Sequence, residues 1–136
     1  VCQFIFKKLL PHILCGLALV FLAGCNSAPL TYDELMTHPD VLGKAMMHCR
    51  MDNFTGANCE TIERAESDFT ALVNERASDP IAFGKKILAA ETLRGKLESQ
   101  YRKTKSVADK KSYDDAQLKV DELMAVLKAT FAETMG

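Results

Sequence analysis

The chain has 136 residues, 48% hydrophobic and 26% charged, with a formal net charge of −1, five cysteines and no tryptophan. That near-neutral total hides a segregation of charge along the chain. The length allows one modest domain.

Lys7 and Lys8 precede an apolar run from Leu9 to Ala23, interrupted by Pro11, His12 and Gly16 and ending in Leu22-Ala23-Gly24-Cys25. A basic start, a short apolar core and small residues at the end are the three parts of a secretory signal. The run is shorter than the roughly 20 apolar residues a membrane helix needs, so it reads as a signal and not as an anchor. Leu-Ala-Gly-Cys resembles the lipobox of bacterial lipoproteins, in which the cysteine thiol receives a diacylglycerol before cleavage. The resemblance implies removal of residues 1–24, a covalent lipid on Cys25 as the one attached group, and a short tether over 25–30. It also implies that the lipid holds the mature chain on a membrane. An Asp after the lipidated cysteine would resemble an inner-membrane retention signal. Asn26 stands there instead, so the outer membrane, on its periplasmic face, is the expected location.

Residues 31–78 read as a first helical module. Thr31-Tyr32-Asp33-Glu34 has the spacing of a capping box at the start of a short helix. Pro39 suits the first turn of a second helix, about Pro39 to Arg50, with Val41, Leu42, Ala45 and Met46 on one side. A turn-forming loop with Asp52, Asn53 and Gly56 follows. Asn58 is the expected N-cap of a helix from Cys59 to about Ala77, whose apolar positions are Ile62, Ala65, Phe69, Leu72 and Val73. Cys2 and Cys15 depart with the signal and Cys25 carries lipid, which leaves Cys49 and Cys59. In an exported compartment these are expected to form a disulfide, contributing on the order of 2–3 kcal/mol for so short a loop. The alternative, a metal site with His48 and His38, lacks any paired C-x-x-C, and adjacent His48 and Cys49 rarely both point at one ion; no metal is expected. Met46, Met47 and Met51 are better explained by core filling than by a copper–thioether site.

Residues 79–136 read as a helical hairpin. Asp79 as N-cap and Pro80 at the first position open a helix with the stripe Phe83, Ile87, Ala90, Leu97 and Tyr101, broken by Arg94. A break is expected near Thr104 to Ser106. Ser106 or Ser112 then opens a last helix with the stripe Tyr113, Ala116, Val120, Leu123, Leu127 and Phe131. The expected fold is all-α: short disulfide-stapled N-terminal helices followed by an antiparallel hairpin roughly 35 Å long.

Charge is segregated along the chain. Residues 26–79 carry four Lys or Arg against ten acids, residues 80–111 nine against three, and residues 112–136 two against five. Lys85, Lys86, Lys96 or Arg102 are therefore expected opposite Asp114, Asp115, Asp121 or Glu122, at no more than about 1 kcal/mol per exposed pair. The basic stretch from Arg94 to Lys111, with Tyr101 within it, would suit nucleic acid. In an exported lipoprotein, anionic lipid headgroups or an acidic protein fit better, and no nucleic-acid partner is expected.

Catalytic signatures are missing from the sequence: no G-x-S-x-G, no H-E-x-x-H, no phosphate-binding glycine loop and no EF-hand loop. His38 reads as a cap or surface residue, and the acidic pairs 114–115 and 121–122 as solvated helix-face carboxylates. An enzyme with a small-molecule substrate is not the expected class.

Leu-Ala-Gly-Cys, then Tyr32, Leu35 and His38-Pro39, then Cys49, nine residues, Cys59, and finally Ile62 and Ala65 resemble the EexN family of small exclusion lipoproteins. The resemblance covers residues 22–65, and Glu60-Thr61-Ile62 stands where that family usually has an Asn-Ala pair. It implies association with conjugation or type IV secretion loci. Two roles follow as expectations: an accessory docked on the secretion apparatus, or a lipoprotein that limits redundant plasmid uptake. A binder or inhibitor of a wall-active enzyme is the alternative from another class.

Overall fold

The computed structural model describes residues 30–51 and 58–134. The signal expected over 1–24, the lipidated Cys25 with most of its tether, and the loop residues 52–57 lie outside the described residues. Within them the chain forms five helices: α1 Tyr32–Thr37, α2 Pro39–Met51, α3 Cys59–Ser78, α4 Pro80–Thr104 and α5 Val107–Thr134. The all-α class expected from the sequence is what is found, with the hairpin formed by α4 and α5.

Local chemistry sets most of the boundaries. Thr31 Oγ1 accepts a 3.2 Å bond from the Glu34 N–H, which starts α1. His38 is the joint to α2: its N–H donates to the Glu34 carbonyl, and its own carbonyl accepts from Val41 and Leu42. Pro39 sits where a missing N–H leaves nothing unsatisfied. Asp79 Oδ1 accepts from the Ala82 N–H at 2.8 Å and so opens α4, again with proline at its start.

One start differs in detail from the sequence reading, and another settles an alternative that it left open. Asn58 precedes α3 in the left-handed region, φ 74°, and its side chain makes no capping bond. Asn tolerates that conformation, so its role here is to turn the backbone into the helix. At the hairpin tip Lys105 is left-handed, φ 54°, and its N–H closes α4 on the Tyr101 carbonyl at 2.8 Å. Ser106 then opens α5, its Oγ accepting from the Asp109 N–H at 3.0 Å. Ser112 lies inside α5 and donates to the Ala108 carbonyl.

The core has two centres. Leu35, Met36, Leu42, Ala45, Cys49, Cys59, Ile62 and Ala65 bury together between α1, α2 and α3. Phe83, Leu123 and Val126 form a second centre between α4 and α5. Phe69 and Leu72 on α3 pack against both centres, which makes α3 the element that joins them. Leu35, Phe83, Leu123 and Val126 are essentially sealed from solvent, each worth about 1.5–3 kcal/mol of burial. α1 packs on α5 as well as on α3, so the last helix covers the first.

The ionic pattern is a correction to the sequence reading. The hairpin is not zipped by charge across its seam. Arg102 pairs with Glu98, Lys110 with Asp114, Lys111 with Asp115 and Lys119 with Glu122, each within its own helix. Lys86 reaches α3, where its Nζ lies 2.7 Å from Glu75 Oε2. The reason is geometric. Partners three or four residues apart on one helix are about 5–6 Å apart at Cβ, while helix axes stand about 8–10 Å apart with apolar side chains filling the seam.

Candidate functional site

The sequence-marked residues fall into three groups. Cys25 lies outside the described residues. Cys49 and Cys59 form a disulfide, S–S 2.07 Å and Cα–Cα 5.6 Å, at the ends of α2 and α3. Both sulfurs are in the core, and with their valences spent on each other they are unavailable as thiolates to a metal. His48, next in sequence to buried Cys49, is exposed.

Leu35, Ile62 and Ala65 are buried in that same core and serve packing. Tyr32, His38 and Pro39 stand at its edge. The Tyr32 hydroxyl donates to Asp68 Oδ2 at 2.7 Å, and the Arg64 guanidinium lies 5.0 Å from the ring centroid. Burial first, and the Asp68 carboxylate second, push the Tyr32 phenol up to about 12. His38 Nδ1 lies 3.1 Å from the Glu34 carbonyl and 3.0 Å from Thr37 Oγ1, both at the end of α1. The ring caps the end of α1, which is the role its position before proline suggested.

Two shallow grooves flank these residues. One, about 500 Å³, runs between α1 and α5, with Asp33, Glu34 and His38 facing Asp121 and Lys128. The other, about 290 Å³, places Tyr32, Asp68, Glu75 and Glu122 around Lys119. Carboxylates stand on both rims; in the second, Asp68, Glu75 and Glu122 are engaged by Tyr32, Lys86 and Lys119. Glu122 is a correction: only 8% exposed, it is paired with Lys119 at 2.8 Å and is not a solvated carboxylate. Its neighbours come from α1 and α3, so nothing in the local sequence of α5 marks it.

The methionines also depart from expectation. Met46 packs against the core, but Met47 and Met51 are 55% and 62% exposed. Core filling therefore explains one of the three. Helical spacing places Met47 and Met51 one turn apart on the outer side of α2, beside a shallow recess that also touches Arg50 and Glu66.

At the far end of the hairpin, Tyr101 and Tyr113 stack with centroids 6.4 Å apart. Arg94, which interrupts the apolar stripe of α4, is held at the seam by Glu91 at 2.9 Å, and that bond raises its already high pKa. Asp109 accepts from Thr104 and Ser106, which holds its carboxyl below the ordinary carboxylate value. These contacts make the tip an ordered polar cluster. None of the described helices is long and apolar enough to cross a membrane.

No protein-family model, no curated protein and no solved structure matches this chain.

Proposed function

We propose that the chain is the precursor of an outer-membrane lipoprotein whose helical body docks, as an accessory, onto a type IV secretion or conjugation apparatus. The observation that carries this reading is the run Leu22-Ala23-Gly24-Cys25 only a few residues ahead of a disulfide-stapled helical body. The residues that resemble the exclusion-lipoprotein module support it. Leu35, Cys49, Cys59, Ile62 and Ala65 share one core, as the parts of a scaffold would, and leave the surface to do the binding. That surface is acidic over α1 to α3, so a basic face on the apparatus is the complementary partner.

A crosslinking pull-down from intact envelopes, using a C-terminal tag, tests the proposal. Secretion-channel components should be recovered with the wild-type chain and lost with Cys25→Ser. Recovery of none of them, with the protein still in the outer membrane, would overturn docking. The second reading, limitation of plasmid uptake, is favoured by the spacing of Tyr32, His38-Pro39, Cys49 and Cys59. It requires that expression in a recipient lower the frequency of incoming conjugation.

A further inference from the structure

Most cations of α4 and of the start of α5 are spoken for: Lys86, Arg94, Arg102, Lys110 and Lys111 all lie against carboxylates. Lys85, Lys96 and Lys103 have no carboxylate partner among the described residues. Their spacings of eleven and seven residues correspond to three and two helical turns, so the three ammonium groups stand in one row. The seam residues Phe83, Ile87, Ala90, Leu97 and Tyr101 lie on the opposite side of the same helix. Ile81 and Leu88, 73% and 68% exposed, lie beside the lysine row. No Asp or Glu falls on this outward face; Glu91 and Glu98 sit toward its flank, engaged with Arg94 and Arg102.

We propose that this outward face of α4 lies flat on an anionic membrane surface, with Lys85, Lys96 and Lys103 on headgroups and Ile81 and Leu88 entering the boundary region. The row from Lys85 to Lys103 is about 27 Å long at 1.5 Å per residue. Gly84 and Gly95 stand on its flank, with open space where a side chain would begin. The grooves described above lie on other faces, along α1, α2, α3 and α5. A long basic row with two exposed apolar residues beside it suits the phosphates and boundary region of an anionic bilayer. The inference deepens the lipoprotein reading, since an anchor at Cys25 would hold α4 within reach of a bilayer. It also leaves the acidic surface of α1 to α3 for protein.

The absence of tryptophan from the chain permits a background-free test. Leu88→Trp places a reporter on the strip, and Met47→Trp places a control on α2. Both are carried in a Cys25→Ser chain, so that no lipid is needed and failure of lipidation cannot imitate failure of this contact. Any attachment through the N-terminal apolar run is common to both reporters. With phosphatidylglycerol vesicles the Leu88→Trp emission should shift to the blue while the Met47→Trp emission does not. Phosphatidylcholine vesicles should give a much weaker response, as should high salt with the anionic vesicles. Lys85→Gln, Lys96→Gln and Lys103→Gln together should lower the apparent partition coefficient on the order of a hundredfold, roughly fivefold for each lysine. Equal shifts from both reporters, or none from Leu88→Trp, would overturn the proposal. So would a shift with soluble polyglutamate and none with vesicles, which would assign the strip to an acidic polypeptide.

Discussion

The Tyr32 hydroxyl donates a 2.7 Å hydrogen bond to Asp68, a residue 36 positions further along, and so ties the shortest helix to the one that joins both core centres. Six residues cannot hold a helix in water by backbone bonds alone. α1 persists because Leu35 and Met36 are buried beneath it and Tyr32 is pinned beside them. Tyr32→Phe keeps the ring and removes the bond. It should cost about 1 kcal/mol in urea unfolding. Tyr32→Ala also removes the ring under Arg64 and should cost clearly more.

The same bond sets an alkaline limit. The folded phenol sits at about 12, against an ordinary value of 10.0, so this group's stability contribution is fully present below pH 10. Above that value the unfolded state releases its proton first, and stability falls as pH rises toward 12. Phenolate absorbance should show a late-ionising step, and Tyr32→Phe should remove it.

Reducing the Cys49–Cys59 bridge should lower the unfolding free energy by about 2–3 kcal/mol, the value for a cross-link closing a loop of this length. The comparison is the denaturation midpoint with and without reductant. Cys49→Ala with Cys59→Ala should reproduce the reduced value and abolish the response to reductant.

Packing and charge make unequal contributions to the hairpin. Phe83→Ala empties a site that is 1% exposed and should cost roughly 3–5 kcal/mol. Lys86→Ala breaks the ion pair with Glu75, whose side chains are 40% and 42% exposed, and should cost less than about 1 kcal/mol. Equal costs in chemical denaturation would contradict a fold held by its apolar seam.

At the hairpin tip, Asp109 accepts from Thr104, Ser106 and Gln100, and its pKa lies below 3.8 in the folded chain. The contribution of these bonds is present above the ordinary carboxylate value and is lost as pH falls through the lower, folded one. The carboxyl resonance of Asp109 should therefore titrate below 3.8, and Asp109→Asn should increase amide exchange at 104–110 without unfolding the body.

Much of the fold was legible in short stretches of sequence, because the responsible interactions are local. Thr31, Asp79 and Pro80 mark helix starts through bonds that span three residues, and the stripes of α3, α4 and α5 follow the helical period. Legibility failed where the partner is remote. Asn58 has the right side chain for a cap, yet its backbone takes the left-handed conformation and its side chain makes no capping bond. Glu122 looks like any surface acid until α1 and α3 close over it. Met47 and Met51 resemble core residues, but the inner side of α2 is filled by Leu42, Ala45 and Cys49, and they are left outside.

By itself the sequence indicated the five described helices with most of their boundaries and the segregation of charge, since each depends on neighbours along the chain or on composition, and, through the expected exported compartment, the pairing of Cys49 with Cys59. Tertiary structure alone decided that α1 is covered by α5 and that Phe69 and Leu72 weld two core centres into one body. It also decided which cations are left over. Pairing within each helix consumes Arg94, Arg102, Lys110 and Lys111, and α3 takes Lys86, because those carboxylates lie nearest in space. What remains is a row of lysines whose common direction is set by the side of α4 that the apolar seam buries.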